Sequence, residues 1–201
     1  MDSSLLKCLV LVGAICGVYS FGDGAPASAC VSMTPGHTGI TEQTSASQYT
    51  VTASSATYQP NQEITVTISG GGNHQGLLLQ ARTSAGTTPI GTFSTPSTNT
   101  KIIQCTAAGD SWTHSSNTDK ATSTVTWTAP ATDMGQITFK ATIAQNKNTY
   151  WLNHESTALT YMAGTTMSNA NVETTTKSGT SGIQLGIGSV LAVAITAFYL
   201  L

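Results

Sequence analysis

Glu63-Ile64-Thr65-Val66-Thr67-Ile68 decides the fold. Its aliphatic residues recur at every second position with threonines between them, so one side of an extended chain is apolar and the other is hydroxylated. That is the pattern of a half-buried strand. The same period of two continues in Ile137, Phe139, Ala141 and Ile143, and in Val125-Thr126-Trp127. Gln48 to Ala53, Leu77 to Ala81, Pro89 to Phe93, Lys101 to Thr106 and Tyr150 to Leu152 complete a set of about eight short strands. Tyr58-Gln59-Pro60-Asn61, Ser69-Gly70-Gly71-Gly72-Asn73, Thr95-Pro96-Ser97 and Ala129-Pro130 break the chain between them. No stretch between Phe21 and Gly164 holds a 3.6-residue period over three turns, and the branched Cβ of threonine favours strands. The expected fold is an all-β antiparallel sandwich.

Composition narrows the function. Of 201 residues 39% are hydrophobic and only 8% charged, with a net charge of −2. So neutral a chain offers no basic footprint to a phosphate backbone, and nucleic-acid binding is not expected. The length accommodates one domain plus processing segments.

Both ends read as addresses. Lys7 is followed by an apolar run from Cys8 to Val18, too short to span a bilayer, and Val18-Tyr19-Ser20 supplies a cleavage site. Residues 1–20 are expected to be a signal peptide cut after Ser20. A buried core helix is the rival, but Phe21-Gly22-Asp23-Gly24-Ala25-Pro26 is loop chemistry that would strand it. Residues 21–164 form the domain. Residues 165–182 are rich in Thr, Ser, Asn and Gly, a stalk whose Thr174-Thr175-Thr176 suits O-linked sugars. Residues 183–201 are an uncharged apolar tail with no basic residue behind it, as in a glycolipid-anchor signal, with Ser178 the expected attachment residue and Asn169 the second candidate. A single transmembrane helix is the alternative. No Asn-x-Ser/Thr acceptor lies in the mature chain.

Removing the signal leaves Cys30 and Cys105. In an exported chain this pair is most simply one disulfide, closing a loop of about 75 residues. Two free thiols or half a metal site is the rival, and no CxxC or Cys/His cluster at ligand spacing supports the metal. Lys101, Ile103 and Cys105 share a parity, so if Ile103 faces the core Cys105 does too, and the N-terminal segment is pinned across the sandwich.

Candidate chemistry is sparse. Asp110, Ser111 and His114 hold the residue types of a hydrolytic triad, but sequence proximity is not triad geometry and no G-x-S-x-G elbow is present. His37, His74, His114 and His154 fall in segments that read as loops or strand ends, with no pair at metal-ligand spacing, and are expected to be solvated. Gly70-Gly71-Gly72 lacks the Lys-Ser/Thr and helix of a phosphate cradle and reads as a loose turn. Carboxylates are too few for a paired-carboxylate glycosidase. Arg82, the only arginine, is suited to ordering loops by fork-like hydrogen bonds to carbonyls or a carboxylate, with ligand binding the sharper alternative. Trp127, Trp151 and Tyr150 read as core aromatics. No catalytic residue, metal or cofactor is expected.

Gly24-Ala25-Pro26-Ala27-Ser28-Ala29-Cys30 and Met33-Thr34-Pro35-Gly36-His37 resemble the opening of reeler (reelin-type) domains. The resemblance continues in order through Tyr58-Gln59-Pro60, Ile64 to Ile68, Gly76 to Arg82, Pro89 to Phe93, Cys105, Thr113-His114, Val125 to Trp127 and Tyr150-Trp151. Among reeler proteins the single-domain form is most similar to insect-type secreted defense proteins. That resemblance implies an immunoglobulin-like β-sandwich, a Cys30–Cys105 disulfide, and a part in innate immunity with antimicrobial activity or binding to bacterial surfaces. A second branch joins the domain to membrane ferric reductases with haem-carrying helices, which are not read in this sequence. The stalk and tail depart from the typical defense protein and point to a cell-surface form. The expected protein is a monomeric, non-enzymatic surface or secreted protein whose partner is a microbial or extracellular ligand. A structural or adhesive protein binding matrix or neighbouring cells is the rival function.

Overall fold

Alternation along the chain is realised as two sheets packed face to face. The computed structural model describes residues 22–164. Strands β1 (Tyr49–Ala53), β3 (Glu63–Gly70), β5 (Thr92–Ser94) and β8 (Ser123–Thr128) form an antiparallel sheet in the order β1-β3-β8-β5. The second, in the order β10-β9-β4-β7-β6, comprises β4 (Gly76–Thr83), β6 (Thr100–Ile103), β7 (Ser111–His114), β9 (Ile137–Asn146) and β10 (Thr149–Glu155). A short parallel pair, β2 (Thr57–Tyr58) and β11 (Thr160–Tyr161), stands beside them.

Register follows the pattern that predicts the strands. Ile64 pairs with Trp127 and Val66 with Val125 across β3 and β8, while Leu77 pairs with Ile143, Leu79 with Ala141 and Ala81 with Phe139 across β4 and β9. These side chains meet between the sheets and are buried. Trp127 packs edge-on against Phe139 at 5.2 Å between ring centroids and donates its indole N–H to the carbonyl of Ile90 at 2.9 Å. The opposite parity of the first sheet points outward as a field of threonines: Thr65 lies opposite Thr126, and Thr67 lies between Thr52 and Thr124. Glu63 is the acidic residue of β3 on that face.

Gly91 enters β5 at φ +70°, and a Cβ there would lie 2.5 Å from both the Thr128 carbonyl oxygen and the Trp127 indole nitrogen. An alanine would have to strain the backbone and displace the indole. Gly91→Ala is expected to cost about 1–3 kcal/mol, read as a lower urea midpoint.

The sequence reading falls short in three places. It expects about eight strands, whereas the two main sheets hold nine and two-residue β2 and β11 add a third, parallel contact. Ser111–His114, which is not among the expected strands, is β7, whose Trp112 is fully buried. Strand β5 begins at Thr92 rather than Pro89, and β6 ends at Ile103, before Cys105. Ile103 faces a small cluster with Ala29, Met33 and Leu78, separate from the inter-sheet core. The signal peptide, the stalk, the tail, Ser20, Ser178 and Asn169 lie outside the described residues.

Candidate functional site

The segment 22–38 contains no strand and lies over the outer face of the five-stranded sheet as a strap. Small residues let it approach closely: Ala27–Ala29 form a single 3-10 turn, and Ala29 and Met33 are buried against Leu78. Its polar backbone needs partners at such an interface. The sheet provides them from side chains. The Ala25 N–H donates to Thr113 Oγ1 at 3.0 Å, and Thr142 Oγ1 donates to the Met33 carbonyl at 2.6 Å.

Cys30 and Cys105 are disulfide-bonded, fastening the strap to the chain just beyond β6. Arg82 holds the same place. Its guanidinium donates to the carbonyls of Cys30 at 2.6 Å and Val31 at 3.2 Å, and its Nε donates to Gln80 Oε1 at 2.8 Å. The Gln80 amide in turn donates to the Cys30 carbonyl at 3.2 Å. Both side chains are buried, so this network exchanges water for protein acceptors at Nε and Nη2. Of the two readings of Arg82, the ordering of loops through carbonyls is the one this geometry realises.

Asp110 performs a similar local task. Its buried carboxylate accepts N–H groups of Cys105, Thr106 and Ala107 at 2.7–2.8 Å, and the hydroxyls of Thr106 and Ser111. Burial opposes ionisation, but these hydrogen bonds outweigh it and hold its pKa below the ordinary value. Ser111 and Asp110 are therefore hydrogen-bonded within a loop clasp. The imidazole of His114 instead has its Nδ1 3.2 Å from the Leu77 N–H, across the β4–β7 pair.

Between the strap and the sheet lies a cleft of about 800 Å³. Ala29, Met33 and Leu78 contribute apolar walls, and the rim carries His37, His114 and Lys147, the last at the tip of the β9–β10 hairpin. Its wall is mostly apolar, and none of its lining residues is Asp or Glu. Burial, then the Lys147 charge, lowers the pKa of His37, and a hydrogen bond to the Lys147 backbone opposes them in part. Nδ1 of His37 is shielded from solvent and has no partner among the described residues.

His37 and His114 are thus brought to one cleft, which their separation in sequence does not announce. The other two histidines are elsewhere, and the expectation of solvated loop histidines fails for His74. It is fully buried, with Nε2 2.9 Å from Ser123 Oγ and its backbone bridged to Lys120. Lys120 is itself buried, its ammonium donating to the carbonyls of Gln75, Ser116 and Thr118. His154, on β10, is half-buried and hydrogen-bonds to the Tyr49 backbone. Trp127 and Tyr150 are buried, and Trp151 packs partly against the main core. Gly70, Gly71 and Gly72 all have positive φ in the turn between β3 and β4.

Burial, then the charges of Lys120 and His114, pulls the His74 pKa from 6.5 to about 4. Between these values the unfolded chain binds a proton that the folded chain refuses, so this contribution to stability is complete above pH 6.5 and is lost as pH falls through about 4. The loss across the window is about 3 kcal/mol at ~1.4 kcal/mol per pKa unit. Urea midpoints at pH 7 and pH 4.5 are expected to differ less in a His74→Gln variant than in the wild type.

One signal in the sequence locates the cleft. Gly76 to Arg82 shows no alternation of apolar with exposed polar residues, and all seven positions are buried. A strand with both sides covered needs a layer on each face, and the strap is the second layer.

Residues 28–167 match the family model described as the Reeler domain. "Putative defense protein 3" of Antheraea mylitta is 32% identical over 158 residues, covering 77% of this chain and 95% of that protein. "Putative ferric-chelate reductase 1" of Danio rerio is 36% identical over 162 residues, covering 78% of this chain, which spans only 28% of that protein's length. The crystal structure of the human F-spondin reeler domain superposes with a TM-score of 0.50 at 19% identity, covering 62% of this chain and 96% of that one, a likeness of fold. Among the described residues no helix is long and apolar enough to cross a membrane, and no group of three or more His, Cys, Asp or Glu is placed to hold a metal ion.

Proposed function

Because the chain belongs to the Reeler domain family, we propose that it is a non-enzymatic extracellular protein of innate defense that binds microbial surfaces. The observation that carries this reading is the alignment with a moth protein named for defense over 95% of that protein's length, so the shared part is nearly all of the relative. The ferric-chelate reductase of Danio rerio shares only 28% of its length, and its name does not extend to this chain. The disulfide agrees with an oxidising, extracellular setting. Recognition is assigned to loops and strap residues held on a rigid sandwich, the arrangement in which binding positions vary while the scaffold is kept.

We place the protein at the cell surface through a glycolipid joined at Ser178, or at Asn169, after removal of residues 1–20. Release of the surface-expressed chain by a phosphatidylinositol-specific phospholipase is expected. A chain that stays in the membrane has a transmembrane helix instead.

Binding of the full chain, made in eukaryotic cells, to intact bacteria and isolated wall components tests the defense reading, with Cys105→Ser as a control. Saturable binding that weakens in the variant is expected. Absence of binding to every wall component, with binding to host matrix or neighbouring cells, favours the adhesive reading, for which the threonine-covered face of the first sheet is the supporting observation.

A further inference from the structure

We propose that the cleft beside the strap is a binding site for a single-chain amphiphile with an anionic headgroup, its acyl chain against the half-buried Ala25, Pro26 and Pro35 and its head beside Lys147. The site goes beyond surface recognition and does not depend on it. Size is the first argument. About 800 Å³ falls within the roughly 300–1,000 Å³ of pockets that enclose one small molecule. The mostly apolar wall is the second, since hydrocarbon is the chemistry such a surface takes from water.

Charge selects the head. Among the described residues most basic side chains are already committed: Arg82 to backbone carbonyls and Gln80, Lys120 to three carbonyls, and Lys140 to Glu155 at 2.9 Å. Lys147 is exposed on the rim and makes no ion pair among the described residues. The nearby Asp119 accepts amide hydrogens from Asn73 and Gln75, and no carboxylate lines the cleft. Lys147 therefore favours an anion at its side of the mouth, away from the exposed Asp23 between Gly22 and Gly24 of the strap.

Phosphate and carboxylate heads share this chemistry, and competition separates them. The full chain, expressed in eukaryotic cells, is exposed to a photoactivatable, alkyne-tagged palmitate, and the labelled peptides are located by mass spectrometry. Label is expected in peptides containing residues 22–38 or 142–147, displaced by palmitate, lysophosphatidic acid or both, and poorly by hexadecanol. Ala25→Trp, which fills the cleft from a half-buried position, is expected to reduce this labelling about tenfold or more.

Lys147→Glu, an exposed change that leaves the fold intact, is expected to weaken displacement by the anionic competitors about fivefold while leaving hexadecanol unchanged. Label confined to residues 183–201, or undiminished label in an Ala25→Trp chain exported at the wild-type level, overturns the site. Equal displacement by hexadecanol and palmitate, unaffected by Lys147→Glu, overturns the anionic head. A chain that takes up the probe at the strap but ignores bacteria refutes the defense reading alone, and the converse refutes the cleft alone.

Discussion

Trp127→Ala is expected to lower the unfolding free energy by about 3–5 kcal/mol. The indole is fully buried where the two sheets meet, edge-on to Phe139 at 5.2 Å and to Tyr58 at 6.3 Å. Truncation leaves a void lined by rings that cannot collapse into it without moving a strand. It also removes the indole donor from the Ile90 carbonyl. A domain of this size has about 5–15 kcal/mol in all, so the variant stands near the edge of stability at body temperature. Urea denaturation followed by the fluorescence of Trp112 and Trp151 measures the change, with Trp127→Phe expected to recover much of it. A loss below about 1 kcal/mol would show that the sheets repack around the site.

The second large effect comes from the disulfide, through a different state of the chain. Cys30 and Cys105 are 75 residues apart, and loop-closure entropy for that span gives about 4 kcal/mol for Cys105→Ser. The cost falls on the unfolded ensemble, which regains the freedom the link removes. Arg82, Gln80 and Thr142 still bind the strap in the variant, so the native fold is expected to persist with a lower midpoint. Reductant should bring the wild type down to the variant and leave the variant unmoved. Identical midpoints for oxidised and reduced wild type would refute the assignment.

The strands of the sandwich are legible wherever one face meets the core and the other meets water, because Ile64 to Ile68 or Ile137 to Ile143 then writes its burial into a period of two. Legibility fails where that contrast is absent. The strand of Trp112 goes unread because it is four residues long and its neighbours Ser111 and Thr113 are buried polar residues, satisfied by the adjacent Asp110 carboxylate and by the distant Leu77 carbonyl. The parallel pair of β2 and β11 has two residues per strand, too few for any period, and it joins segments about a hundred residues apart that the rest of the fold brings together.

The cleft is legible only in part. Cys30 and Arg82 announce that the strap must be fastened, and both do fasten it. That His37 and His114 line one cleft depends on how a segment without secondary structure crosses a sheet, which no local pattern encodes. His74 is misjudged for a related reason. Its flanking glycines and polar residues look like loop, yet a single bridge to Lys120 and the hydroxyl of Ser123 place it inside.

The threonine field on β3 and β8 has one further consequence. Hydroxyls neither gain nor lose protons in biological media, and their fields are too short in range for dissolved ions to screen appreciably. Away from Glu63, this side of the domain presents the same chemistry in an acidified wound, a dilute fluid or a concentrated one.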